Sequence, residues 1–403
     1  MDHNESATSL MDQEALLQLV SRLTRDLNAE IFLDVGPLFE EAWTGIPVVA
    51  AQLAQTLLGA LGENLRFFVG LDEIEPGPVI DALDRWTGVF LSYEFHQLNS
   101  RLGPVRRISK NKVTIGIYPS AKSSRQVFDY ECSIIHDITT LNAPQFHVPE
   151  NIAHHMEVIV DDLESNAVTA CVSQSTANDV AAYFGVRSDH LVVAYNGVSW
   201  RPRDLIAARS EVDFNAVEPF FLILGTREPR KNIALIFELL SIFPELLHSH
   251  RFVITGKVGW LRENSVMPAS LAEAIKSDRI FFTGFLSDAE KCKLLMAADA
   301  SIYPSFLEGF GLPVAESLSV GTPCIASCSS SIPEVGGDCC VYFDPYSVFD
   351  LHRAVVQIQR ENPKRNAEFR QRCIDSVAKF SWARMASAIL CSIETKVRGA
   401  AYR

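Results

Sequence analysis

The stretch 303–322, YPSFLEGFGLPVAESLSVGT, concentrates residue types that can hold a sugar and an anion. An apolar run ends there, a glycine-rich turn follows, and a helix should start near Pro313. Proline suits a first helical turn, and Gly321 suits the exit. Gly309 and Gly311 let backbone N–H groups come close to a ligand, and the helix start favours negative charge. Glu308 on the turn and Glu316 in the first helical turn put two carboxylates near one crevice. Carboxylates accept from vicinal hydroxyls, so a sugar and a ribose are natural ligands. A plainer alternative leaves Glu316 complementing the helix dipole and Glu308 as an exposed loop acid.

A second segment, 225–232, reads GTREPRKN and again separates an apolar run from an expected helix, here beginning by Ile233. Arg227, Arg230 and Lys231 then cluster where a parallel strand ends, the edge at which open α/β sheets take ligands. Such cations can neutralise a diphosphate without a metal. A cation on a solvated turn is a plausible alternative for Arg227 and less so for Lys231. His136 and Asp137 close the run CSIIHD at another strand end. A histidine there could bond a sugar hydroxyl or a phosphate, and a satisfied core histidine is an equal alternative. Gly45, ahead of an amphipathic run, could bring backbone to a ligand from the first half. His154, His155, Glu157 and Asp161 lack HExxH spacing, no DxD triplet occurs, and no serine elbow accompanies His136. A polar helix face accounts for the first group, so metal-bridged phosphate chemistry and a serine hydrolase are both disfavoured. No cofactor is expected.

Groups placed at strand ends need parallel strands feeding helices. Short apolar runs rich in β-branched and aromatic residues alternate with stretches of helical spacing, which reads as repeated βαβ units. Strands are expected at 31–35, 65–69, 89–92, 113–118, 133–136, 167–172 and 192–195. A second series follows at 220–224, 252–255, 280–282, 300–303, 323–326 and 341–343. Helices are expected at 14–27, 48–58, 177–184, 288–298 and 381–396, with Ser287 and Glu290 in capping-box spacing at the start of the fourth. A polar stretch at 200–218, bounded by Pro202 and Pro219, breaks the pattern and reads as a linker. The expectation is an α/β protein of two Rossmann-like domains, 1–205 and 206–375, with a helix in 376–403 packing back across the linker.

Composition narrows the partners. A chain of 403 residues with 48% hydrophobic content can build two cores. Its formal net charge of -13 repels polyphosphate, and without a nucleic-acid reader motif that class of partner is excluded. One segment runs against this charge: 101–125 carries Arg101, Arg106, Arg107, Lys110, Lys112, Lys122 and Arg125 with no carboxylate. It can attract anionic lipid head groups or a phosphorylated acceptor, or lie as a solvated loop. Nine cysteines without metal-site spacing suit a reducing compartment. The polar start and the lack of a membrane-length apolar run place the protein in the cytoplasm, at most peripheral at the inner face of the plasma membrane.

Taken in order, these segments resemble retaining glycosyltransferases of family 4, most nearly bacterial mannosyltransferase-like members. The likeness runs from about Ile31 to Ile389. Its most specific part is the E-x7-E pattern from Glu308 to Glu316 with GFG intact, supported by GTREPRKN, IIHD, VSQSTANDV, YNGV, GFLSD and SIPEVGGD. The resemblance implies the GT-B fold, two Rossmann-like domains facing across a cleft, the first binding the acceptor and the second a nucleotide diphosphate sugar. It implies that Glu308 contacts the donor sugar, that Gly309, Phe310 and Gly311 present amides to its hydroxyls, and that Glu316 holds the ribose. Lys231 and Arg230 match the diphosphate cations, His136 faces the transferred sugar, and Phe285 with Leu286 falls where the nucleobase is held. Thr226 stands where many relatives have arginine, so Arg227 or Arg230 must supply a second cation, and in the acceptor-side loop after Gly45 Val48 stands where TGIPR-type relatives have an arginine. The implied reaction is transfer of a hexose, GDP-mannose leading, to a glycan or lipid-linked acceptor. A sugar phosphorylase, a nucleotide-sugar epimerase and a non-catalytic nucleotide-sugar-binding subunit remain alternatives.

Overall fold

The computed structural model describes residues 7–41, 43–96, 101–105, 112–210, 218–225, 228–256 and 268–401. The chain divides into two compact units, one of Met1–Gly197 with Phe380–Arg403 and the other of Val198–Lys379. The break thus falls at 197/198 and 379/380, where the sequence pattern suggested 205/206 and 375/376. The supposed linker is partly structured: Pro202–Ser210 is a helix that packs on the helix Asp288–Ala297. Arg201 ties the two, 2.6 Å from Asp204 and 3.8 Å from Asp288.

The strands of the first unit are β1 (Ala29–Asp34), β2 (Leu65–Val69), β3 (Asp72–Ile74), β4 (Arg101–Pro104), β5 (Val113–Tyr118), β6 (Tyr130–Ile135), β7 (Thr169–Cys171) and β8 (Leu191–Val193). Among the described residues they form one sheet in the order β4-β3-β2-β1-β5-β6-β7-β8. All pairs are parallel except those that β3 makes with β2 and β4. β1 is buried along its whole length, as a strand covered on both faces must be.

The helix Ile46–Leu61 covers this sheet, burying Val49, Ala50, Leu53, Ala54, Leu57 and Leu61 at helical spacing. By length and composition Ile46–Asn64 could cross a membrane, contrary to the expectation that no apolar run approaches that length. In the fold it is a core helix, packed on the helices Ala7–Ser21 and Trp382–Ala401. The latter lies along Ala7–Ser21, where Asp12 accepts from Ser381 at 2.7 Å and from Arg384 at 2.7 Å. Residues 89–92, read as a strand, belong to the helix Val89–His96. Only Leu91 and Phe95, four apart, are buried there, so the run is apolar on one helical face rather than on alternate residues.

The second unit contains β9 (Phe220–Ile223), β10 (Arg251–Thr255), β11 (Ile280–Gly284), β12 (Ala300–Tyr303), β13 (Cys324–Ser327) and β14 (Cys340–Phe343). Among the described residues the order is β11-β10-β9-β12-β13-β14, parallel throughout. Numbered within the unit this is 3-2-1-4-5-6, the doubly wound order in which strand progression reverses between the first and fourth strands. That switch point lies between β9 and β12. The helices Ile233–Ile242 and Val348–Glu361 close one face with Ile236, Leu239, Leu240, Leu351, Val355 and Ile358. Cys292 and Cys324 are buried free thiols here, as Cys132 and Cys171 are in the first unit.

Candidate donor site

β9 and β12 end side by side, and the segments that leave them build the site. After β9 the chain makes a short turn at Pro229–Lys231 and enters the helix Ile233–Ile242 through Asn232, which has a left-handed φ of 55°. Its side-chain amide fixes that conformation by donating to Pro304 O at 3.1 Å and Pro345 O at 2.8 Å. After β12, the loop is stitched to β13's exit. Glu308 N donates to Ser330 Oγ at 2.8 Å, Ser331 Oγ donates to Glu308 O at 2.8 Å, and Ser329 Oγ donates to Phe306 O at 2.7 Å. Phe306 N donates to Arg230 O at 2.9 Å, so the two loops are one body.

Within this frame three charged side chains meet. Lys231 Nζ is 2.7 Å from Glu308 Oε1 and donates to Tyr303 Oη at 2.8 Å. Arg230 Nη1 is 3.0 Å from Glu308 Oε2 and also donates to Leu307 O, while Nη2 reaches Glu228 at 2.9 Å. Burial pushes the Glu308 carboxyl up, but Arg230 and Lys231 together outweigh it and hold the pKa down at about 2. Glu308 is therefore a carboxylate at any working pH, an acceptor for hydroxyls and not a proton donor. Lys231 has three N–H donors and spends two on Tyr303 and Glu308. Among the described residues no acceptor meets its third, which can take an incoming oxygen. Tyr303, whose pKa burial raises well above its ordinary value, stays a phenol and can accept from the ammonium.

Glu308 continues into the helix Leu312–Ser319 through Gly309, Phe310 and Gly311. Gly311 is the N-cap residue with φ 100°, a conformation that L side chains rarely adopt, and its carbonyl accepts from Val314 N and Ala315 N. The Phe310 ring is 3% exposed and belongs to the core, so only its backbone can serve a ligand. Pro313 sits in the first turn as expected.

Glu316 lies one turn further on and has a different partner. Its Oε1 is 2.6 Å from Lys291 Nζ, and that ammonium also stands 3.3 Å from Asp288. Lys291 extends from the helix Asp288–Ala297, whose Ser287 and Glu290 form the expected capping box. Burial raises the Glu316 pKa, and Lys291 pulls the other way without cancelling it. Neither Lys291 nor Tyr303 was anticipated. Lys291 lies in an ordinary charged helix face, and its pairing with Glu316 is visible only in three dimensions. At the end of β11, Phe285 is 51% exposed and Leu286 half-buried.

His136 and Gly45 belong to the first unit. His136 Nε2 donates to Pro119 O at 2.7 Å, since a carbonyl can only accept. Burial lowers its pKa, so the ring is neutral near pH 7 and Nδ1 carries a lone pair. Gly45 precedes the helix Ile46–Leu61 with φ 62°. Thr226 and Arg227 lie outside the described residues, as do Arg106, Arg107 and Lys110 of the basic segment. The described cations of that segment do not form an open patch, because each meets a carboxylate. Arg101 pairs with Asp72, Lys112 with Glu30 and Arg125 with Asp162, while Lys122 is fully buried against Glu131. Among the described residues no three His, Cys, Asp or Glu side chains converge as a metal-binding group. His155 instead meets Thr140 Oγ1.

Residues 206–379, most of the second unit, match the family model described as Glycosyl transferases group 1. O-antigen chain mannosyltransferase B of Escherichia coli is 26% identical over 253 residues, 61% of this chain and 65% of that protein. Serotype-specific mannosyltransferase WbdA of Escherichia coli is 28% identical over 261 residues, 63% of this chain and 32% of that protein. The chain thus covers less than two thirds of either relative's length. Among solved structures, sucrose-phosphate synthase from Thermosynechococcus elongatus superposes with a TM-score of 0.63 at 15% identity, covering 92% of this chain and 100% of that one. That likeness shows the fold, a GT-B protein built from two Rossmann-like domains.

Proposed function

We propose that the protein is a glycosyltransferase that moves a hexose, mannose favoured, from a nucleotide diphosphate sugar to a glycan or lipid-linked acceptor in polysaccharide synthesis. One observation carries this reading: Lys231, Arg230 and Glu308 converge at the switch point of a 3-2-1-4-5-6 sheet, where such folds take nucleotides. The match of the second unit to a glycosyltransferase family and two relatives named as mannosyltransferases support it.

The chemistry follows from the charges. The third Lys231 donor and the Arg230 guanidinium neutralise the diphosphate as it departs, a role that needs no divalent ion. Glu308, permanently ionised, accepts from hydroxyls of the donor sugar and faces the positive charge that grows at the anomeric carbon. Its orientation is set before binding by Lys231, Arg230 and the serine contacts of its backbone, so little reorganisation is needed during reaction. Neutral His136, in the first unit, carries an Nδ1 lone pair that can accept from a hydroxyl. Glu316 receives the ribose hydroxyls, and Phe285 with Leu286 meets the base. No side chain is assigned as a covalent nucleophile, and transfer proceeds with retention through attack on the face the diphosphate leaves.

The test is a transfer assay in which GDP-mannose, UDP-glucose and related donors are offered with mannosyl and lipid-linked acceptors, and the anomeric configuration of the product is read by proton NMR. An α-linked product from an α-linked donor supports the reading. Sugar phosphate made from glycan and inorganic phosphate would identify a phosphorylase instead, and donor isomerised without acceptor an epimerase. Tight donor binding with no turnover on any acceptor would indicate a binding subunit.

A further inference from the structure

The two carboxylates of the 308–316 segment differ in what holds them, and among the described residues Glu316 meets a single ammonium. Lys291 Nζ lies 2.6 Å from Glu316 Oε1, 3.3 Å from Asp288 Oδ1 and 5.1 Å from the Trp200 ring centroid. The indole is itself pinned, because Trp200 Nε1 donates to Ser319 Oγ at 2.9 Å and Ser319 Oγ donates to Glu316 O at 2.7 Å. Carboxylate, ammonium, indole and hydroxyl therefore close a ring that returns to the residue where it began. Three separate segments supply it: the chain ahead of Pro202–Ser210, the helix Asp288–Ala297 and the helix Leu312–Ser319.

We propose that Lys291 is the positioning residue of the ribose end of the donor site, holding Glu316 ionised and oriented to accept from a pair of vicinal hydroxyls. The proposal rests on the reading of Glu316 as the ribose-binding carboxylate. A protonated carboxyl would spend its proton on one hydroxyl and accept poorly from the other, whereas a carboxylate can accept from both. Among the described residues Lys291 is the cation that acts on Glu316. Lys291 opposes the effect of burial, Asp288 reinforces it, and Cys292 is a thiol held well above its ordinary range by burial. Arg201, 3.8 Å from Asp288, offsets that aspartate from behind. Lysine at 291 leaves the carboxylate's other lone pairs for the sugar, because its Nζ occupies Oε1 alone.

The test compares GDP with 2′,3′-dideoxy-GDP, and UDP with 2′,3′-dideoxy-UDP, by calorimetric titration of the full chain at pH 6 and pH 8. Hydrogen bonds to a charged group predict that loss of the hydroxyls weakens binding to the unaltered protein about 10- to 100-fold. In Lys291→Met that penalty should fall to within about threefold at pH 6 and partly return at pH 8, since higher pH favours the carboxylate that Lys291 no longer supports. Lys291→Arg, which keeps the charge, should retain most of it, and this variant with the pH dependence separates positioning from general loss of structure. A dideoxy penalty that persists in Lys291→Met at both pH values but vanishes in Glu316→Gln would overturn the role of Lys291 alone. A penalty untouched by Glu316→Gln would remove the ribose reading and the proposal with it.

Discussion

Glu308 and Glu316 sit on one strand-to-helix segment, both largely buried, yet the fold treats them oppositely. Glu308 is gripped by Arg230 and Lys231, and its pKa is held down at about 2 although burial pushes upward. Among the described residues Glu316 has Lys291 as its one cation, shares it with Asp288, and its pKa ends above the ordinary value. The difference teaches that burial is the common cost, and that the number of cations decides which carboxylate is permanently charged. Among the described residues Glu308 has two cations beside it and Glu316 has one.

The sharpest way to break this contrast is Lys231→Met. Removing one partner from a buried pair costs about 3–5 kcal/mol, so the variant should show a clear drop in the urea midpoint, and Glu308 should titrate at higher pH. Glu308→Gln should come next. Loss of one preorganised electrostatic group lowers kcat about 10²- to 10³-fold, while donor affinity in calorimetry changes far less. An equal loss in both would mean that Glu308 only binds. The third effect is acid stability. A carboxyl whose folded pKa is near 2 against 4.5 contributes stability that is full above about 4.5 and lost as pH falls toward 2. At 1.36 kcal/mol per unit this is about 3 kcal/mol at most. Glu316, with its raised pKa, has the opposite sign and costs stability as pH rises through its folded value. Urea unfolding from pH 2 to 7 should therefore show the gap between unaltered protein and Glu308→Gln closing on the acid side, and a gap constant with pH would contradict the assignment. The smallest effect is Trp200→Phe, which keeps an aromatic face for Lys291 but loses the bond to Ser319, worth about 1 kcal/mol.

Much of this was legible in the chain before folding. Both series of parallel strands, the helix start at Pro313, the capping box at Ser287 and the placing of Arg230, Lys231 and Glu308 just after strands follow from local patterns, because strand ends and turns are written in neighbouring residues. What failed had longer reach. Residues 89–92 read as a strand because four residues cannot distinguish a short apolar run from one face of a helix. The stretch 200–218 read as a linker because its helix Pro202–Ser210 is polar and gains its stability from the helix Asp288–Ala297. Of the cations of 101–125, the described Lys122 and Arg125 meet Glu131 and Asp162, acids outside that segment that no local reading pairs with them. Lys291 carried no local signal, since its partner Glu316 stands 25 positions away.

The account turns on whether Lys231 and Glu308 form a nucleotide diphosphate sugar site, and isothermal titration of GDP-mannose and UDP-glucose into the unaltered protein and Lys231→Met tests that most directly. At least one donor should bind the unaltered protein and lose about tenfold or more in affinity in the variant, the equivalent of one charge-assisted hydrogen bond. Equal affinity in the two proteins for every donor would contradict it.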